Sequence, residues 1–144
     1  VSRPLPTVER INAASDGSFV GLVGVIVTSI EQGRLTAELE IRPEVIAPNG
    51  YLHAGAIVTL ADTTCGYGAR THRPEGSSGF TTIELKSNFL GTAREGFIDC
   101  EATMVHAGRT TQVWDAKVTA RSSGRAIALF RCTQMLLYPK PEHT

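Results

Sequence analysis

The chain has no excess of either charge. Its 14 Lys and Arg balance 14 Asp and Glu, for a formal net charge of zero. That balance argues against a nucleic-acid-binding surface and against an anionic membrane as partner. Cysteine is scarce: Cys65, Cys100 and Cys132 make an odd number without C-x-x-C spacing. They read as reduced, mostly buried thiols of a cytoplasmic protein rather than as a disulfide framework. H-E-x-x-H spacing, paired C-x-x-C and acidic clusters are all missing, so no metal site is expected. A G-x-S-x-G elbow and a glycine-rich phosphate loop are missing too. The apolar run Phe19–Ile30 is too short to span a bilayer. It is not read as a signal-peptide core, because Glu9 and Asp16 precede it and no small-x-small cleavage site follows.

What is present suits one domain over residues 1–144, long enough to bury a real core. Residues 1–18 form a lead-in with Pro4 and Pro6, then a short helix over Val8–Ala14 closed by Ser15–Gly17. The β-branched run Phe19–Ile30 reads as a strand, and Glu31–Gly33 as a turn. Leu35, Ala37, Leu39 and Ile41 alternate with Thr36, Glu38 and Glu40, the period of a half-buried strand that pairs with its predecessor as a hairpin.

Pro43 and Pro48–Gly50 bracket a loop. From about Ala54 to Arg70 the chain is nearly all small or apolar and long enough for a helix. Apolar on all sides, it should be buried on every side, wrapped by a sheet. Arg70, His72 and Arg73 close its end, where positive charge suits the helix dipole. After a flexible Pro74–Gly79, four strands are expected, Phe80–Phe89, Phe97–Val105, Thr111–Arg121 and Ala126–Leu137. Turns at Gly91–Gly96, His106–Arg109 and Ser122–Gly124 separate them. Ile98, Cys100, Ala102 and Met104 alternate with polar residues, as do Trp114, Ala116, Val118 and Ala120. The order is ββ-α-ββββ: an α+β fold in which about six mostly antiparallel strands wrap one buried helix.

Asp62 carries the only charge in Ala54–Ala69. An acid there loses hydration and is costly unless it is paired or its pKa rises. His53 lies nine residues earlier. On one straight helix the two would be about 13 Å apart along the axis and on opposite faces. They cannot easily meet within one chain, so a shared reaction implies two copies and a site at their interface. The first helical N–H groups, around Ala54 and Gly55, have no intrahelical partner and could stabilise an oxyanion. Asp62 of the facing chain would then be nucleophile or general base. Cys65, in an apolar helix without a base, reads as an inert thiol. His72, His106 and His143 read as surface or turn residues.

The run His53–Asp62 resembles the signature of hotdog-fold acyl-CoA thioesterases, His-Gly-Gly followed by a spacer of five to eight residues and then Asp or Glu. It is most similar to the phenylacetate-degradation (PaaI-type) and hydroxybenzoyl-CoA group, and the resemblance runs from Phe19 to Leu137. It implies hydrolysis of an acyl- or aryl-CoA thioester by a homodimer or homotetramer. Coenzyme A enters as part of the substrate, with no further cofactor. Asp62 takes the role of catalytic nucleophile or base, Ala54 donates the oxyanion-hole N–H, His53 supports the carbonyl, and Thr82 positions water or the carboxylate. Coenzyme A phosphates would meet Arg94 and the segment Gly108, Arg109, Thr110 and Thr111. Ala54 replaces the first glycine of the signature, which is compatible only with a negative φ. The Asn or Gln usual six residues before the histidine is Ala47 here, and Asn49 is the available substitute. Two other readings stay open, a non-catalytic acyl-CoA-binding module and an enoyl-CoA hydratase. The latter resembles a helix-borne Asp with His five residues on, where this chain has Tyr67.

Overall fold

The computed structural model describes residues 3–142, so His143 lies outside the described residues. Its elements run α1 (Val8–Ala14), α2 (Phe19–Val23), β1 (Ile26–Glu31), β2 (Arg34–Glu40), α3 (Ala54–Thr71), β3 (Gly79–Phe89), β4 (Phe97–Ala107), β5 (Thr111–Ala120) and β6 (Ala126–Leu137). A 3₁₀ turn at Pro43–Val45 leads toward α3. The strands form one antiparallel sheet in the order β1-β2-β4-β5-β6-β3, and α3 lies across one face. Both expected helices and five of the expected strands are present; of the sixth, Phe19–Ile30, only the second part is a strand.

The period-2 segments behave as their pattern requires. Leu35, Ala37 and Leu39 of β2 are buried, as are Ile98, Cys100 and Ala102 of β4 and Trp114, Ala116, Val118 and Ala120 of β5. Their registers put Ala37 opposite Cys100, and Cys100 opposite Val118, so apolar side chains stack across three strands on the helix face. The β1–β2 hairpin closes through Gln32 and Gly33, with Gly33 at φ 75° supplying the left-handed position.

Phe19–Ile30 is not one strand. Its first part is α2, because Ser18 caps that helix by accepting the Gly21 N–H and Gly24 ends it at φ 95°. Arg42 donates to the carbonyls of Leu22 and Val23, satisfying acceptors the helix end leaves open. Local capping overrides β propensity here. The Pro74–Gly79 segment, expected to be flexible, is a hydrogen-bonded turn: the Ser77 N–H and hydroxyl both donate to the Pro74 carbonyl. His106 belongs to β4, at a register shift, rather than to the following turn.

The second correction concerns α3. Residues 56, 57, 60, 61, 64, 65, 68 and 69 are buried against the sheet, but 58, 59, 62, 63, 66 and 67 are only half-buried. The sheet covers one face of the helix; within one chain nothing fully covers the other. The two sheet edges differ in the same way. At β1 the Asn12 amide donates to the Val27 carbonyl and accepts the Val27 N–H, both at 2.9 Å, standing in for a neighbouring strand. At the other edge β3 pairs only with β6, and Ile83, Leu85 and Phe89 are 53%, 43% and 46% exposed.

Candidate active site

Asp62 sits on the half-open face of α3. Its Oδ1 is buried and finds no hydrogen-bond partner among the described residues. Desolvation raises its pKa above the ordinary aspartate value. The carboxyl lines a cavity of about 320 Å³ with Val20, Thr63, Gly66, Tyr67, Arg70, Phe80 and Thr82. The structure thus brings Thr82, on β3, to the same hollow as Asp62. The Thr82 hydroxyl donates to Gln134 Oε1 at 2.7 Å, so toward a ligand it can offer only lone pairs. The Tyr67 hydroxyl is hydrogen-bonded to Ser15. Where the hydratase pattern needs a histidine, this chain has a phenol already engaged with its own fold.

The helix start is a separate locus. His53 is the N-cap of α3, and its Nδ1 accepts the Gly55 N–H at 2.7 Å. The Gly55 amide, expected to be free, is therefore taken by the histidine. The Ala54 N–H has no partner among the described residues, and both residues are exposed. With Nδ1 accepting, the proton of a neutral ring resides on Nε2, a donor carried by an exposed residue adjacent in sequence to Ala54. No described non-glycine residue has positive φ, so alanine fits at position 54 without strain.

The preceding loop is tied internally. The Ala47 N–H donates to the Tyr51 carbonyl at 2.7 Å, and Asn49 Oδ1 accepts the Tyr51 N–H at 3.2 Å. Asn49 is therefore engaged with its own turn through that oxygen. The Arg94 guanidinium lies 4.4 Å from the centre of the Tyr51 ring, at this same end of α3. Arg109, Thr110 and Thr111 lie at the opposite end, since the neighbouring Gln112 donates to the His72 carbonyl. Backbone bonds hold their turn: Gly108 N–H to Thr111 O and Leu136 N–H to Thr110 O, each 2.8 Å. In one chain the expected site residues thus fall into three groups. From Asp62 to Ala54 is eight residues, about 12 Å along the helix.

His72 is no surface residue. It is half-buried, its Nδ1 donates to the Gly68 carbonyl at 2.8 Å, and its Nε2 accepts the Gly33 N–H at 2.8 Å. Those bonds require a neutral ring, so it is a tie between α3 and the β1–β2 turn rather than a charge for the dipole. Cys65 is buried, and its bond with Cys132, together with burial, pushes its pKa well above the ordinary thiol range. That is an inert thiol. Two other hollows, of about 640 and 480 Å³, lie on the outer face of the sheet. They are open, and the Arg131 and Asp115 charges in the first are already paired. Among the described residues no three or more His, Cys, Asp and Glu gather in a metal-binding group, and no helix is long and apolar enough to cross a membrane.

Sequence reasoning missed Val20, Tyr67 and Phe80 in the Asp62 cavity. Tyr67 is five residues after Asp62 and was legible from helical spacing; Val20 and Phe80 arrive from distant segments with no local signal.

The sequence profile of the Thioesterase superfamily matches residues 49–127. A 1,4-dihydroxy-2-naphthoyl-CoA hydrolase of Listeria monocytogenes is 32% identical over 77% of this chain and 89% of its own length. The enzyme of that name from Escherichia coli is 30% identical over 91% of this chain and 95% of its own length. Among solved structures, a mutant thioesterase of Pseudomonas aeruginosa superposes with a TM-score of 0.89 at 28% identity, covering 94% of this chain and 96% of that one.

Proposed function

The chain belongs to the thioesterase superfamily and is a hotdog-fold thioester hydrolase, and we propose that it cleaves an acyl- or aryl-CoA thioester at a site shared by two protomers. The observation that carries the site assignment is Asp62, a desolvated carboxylate with an unpartnered buried oxygen, lining a largely apolar cavity. A fold does not maintain such a group for stability.

The Ala54 N–H of one protomer binds the thioester oxygen, and the His53 Nε2–H is the second donor. Asp62 of the other protomer takes a proton from a water that attacks the thioester carbon, or attacks that carbon itself to give a mixed anhydride that water then hydrolyses to the free acid. The C–S bond breaks as the oxyanion collapses, and the thiolate leaves, to be protonated as free coenzyme A. Thr82 accepts a hydrogen bond from the water or from protonated Asp62. Asn49 and Gly55 shape the loop and first turn around the carbonyl. Arg94 and the Arg109–Thr111 turn, at opposite ends of one helix, are candidates for phosphate contacts. No metal or redox chemistry is called for.

Two features support self-association. The half-covered face of α3 and the unpaired apolar edge of β3 are adjacent, and a second copy added along β3 would cover both. The resemblance extends this to a homotetramer and to phenylacetate-type aryl thioesters. Three free cysteines fit a cytoplasmic location.

The test is release of free thiol from aromatic, short-chain and long-chain CoA esters by the wild type and Asp62→Ala. A loss on the order of 10²–10⁴ in rate is expected. Equal rates would sink the assignment of Asp62. Tight acyl-CoA binding without turnover by either protein would replace the enzyme with a binding module.

A further inference from the structure

Four of the chain's arginines gather where, among the described residues, none of them is ion-paired. Arg3, Arg10, Arg70 and Arg73 line a cavity of about 260 Å³ beside the C-terminal end of α3. Arg3 and Arg73 also line an adjoining hollow of about 590 Å³, where Glu75 is the single acidic side chain. Among the described residues none of the four forms an ion pair, whereas Arg34, Arg42, Arg121 and Arg131 each do. The only hydrogen bonds of the four side chains within the described residues are those of Arg73 to the carbonyls of Arg70 and Ser77.

Helix-dipole compensation accounts for Arg70, in the last turn of α3, and for Arg73, just past its end. It does not account for Arg3 and Arg10, which come from the N-terminal segment and α1. In a chain of zero net charge, assembling four like charges is unfavourable unless a polyanion occupies the space between them. Guanidinium groups bind phosphoryl oxygens through paired N–H donors, so phosphate is the chemistry this cluster fits.

Position supplies the second argument. Arg70 lines both this cavity and the one that contains Asp62. The two hollows therefore meet at Arg70, with Gly66, Tyr67 and Phe80 lining the Asp62 side. A CoA thioester has the same layout: a reactive carbonyl, a slender pantetheine arm, then a diphosphate and a ribose phosphate. We infer that the Arg3–Arg10–Arg70–Arg73 cluster binds the phosphoryl groups of coenzyme A, with the pantetheine arm running past Tyr67 and Phe80 to Asp62. This rests on the CoA-thioester reading above, and it places the phosphates away from Arg94 and from the Arg109–Thr111 turn.

The test is titration calorimetry of the Asp62→Asn protein with coenzyme A, 3′-dephospho-coenzyme A, pantetheine and inorganic phosphate. Coenzyme A should bind most tightly, with an affinity that falls as salt rises. Adding Arg10→Gln or Arg73→Gln should each weaken coenzyme A on the order of tenfold while pantetheine moves far less. Arg10→Lys should recover part of the loss, which a purely structural role would not predict. Equal affinity for coenzyme A and pantetheine overturns the inference. So does equal weakening of both by the cluster variants, or phosphate binding as tightly as coenzyme A. A coenzyme A-specific loss in Arg109→Gln with none in the cluster variants moves the phosphates to the other turn. Binding is read without turnover, so a protein that binds coenzyme A here yet hydrolyses no ester sinks the thioesterase reading and leaves this one standing.

Discussion

The two faces of α3 are built from similar residues and do different work. The packed face, Ala56, Ile57, Leu60, Ala61, Thr64, Cys65, Gly68 and Ala69, presses on the sheet. Its small residues let the helix approach closely: a Cβ added at Gly68 would stand 2.6 Å from Trp114 Cη2. The hydroxyl on this face, that of Thr64, donates to the Leu60 carbonyl. The open face carries Asp62, Tyr67 and Arg70 around a cavity and leaves a carboxylate oxygen unpaired. One face spends its residues on density, and the other keeps polar capacity unspent. The difference teaches where to look for function: at the unsatisfied group rather than at the best-packed one.

The largest way to break that contrast is Asp62→Asn. Its expected rate loss, around a thousandfold, corresponds to about 4 kcal/mol of transition-state stabilisation, yet its thermal stability at neutral pH should equal or exceed that of the wild type. Burial raises the Asp62 pKa, so the folded state disfavours the ionised form. The resulting cost to stability is absent below the unfolded-state pKa and appears as pH rises through the higher folded-state value. The stability advantage of Asp62→Asn should therefore shrink as pH falls through that region. The wild-type rate should fall over the same region, as the working carboxylate protonates. Thermal melts and pH–rate profiles of both proteins check this; a variant less stable than wild type at neutral pH would make Asp62 a structural acid.

Much of this was legible because sequence period reports on one chain's own packing. β2, β5 and the first part of β4 alternate, and the sheet buries the expected side; in β4 the alternation ends at the register shift after Met104. α3 was legible as a helix, but its small apolar composition could not say that the sheet would cover only one of its faces. The cap residues Ser18 and Gly24 were in view, yet the β-branched run between and after them dominated the reading. His72 and Thr82 were opaque from local sequence for a different reason. His72 reaches Gly33 39 residues away, and Thr82 reaches Gln134 52 residues away. Only the family resemblance pointed to Thr82. His53 was expected to support the carbonyl, and the structure shows it as the N-cap of α3.

On the packed face, Gly68→Ala should act in the opposite sense to Asp62→Asn. The added methyl would meet three indole atoms of Trp114 at 2.6–2.9 Å. Trp114 is fully buried and held through its N–H to Gln112, so it has little freedom to withdraw. Overpacking of this kind costs about 1–3 kcal/mol, read as a Tm lowered by several degrees. The rate per folded molecule should be unchanged. An unaltered Tm would show that the face is looser than its packing indicates.

The smallest effect, and the one that separates the two duties of His53, comes from comparing His53→Ala with His53→Asn. Alanine removes the N-cap and should cost about 1 kcal/mol, a shift of roughly 2–4 °C for a chain of this size. Asparagine is among the strongest N-cap residues, so it should restore the Tm by accepting a helix N–H in place of Nδ1. It cannot restore the ring's Nε2–H. Capping alone predicts that stability and rate recover together in His53→Asn. Donation to the thioester oxygen predicts recovered stability with a rate still depressed, since the oxyanion then keeps the Ala54 N–H but loses its neighbour.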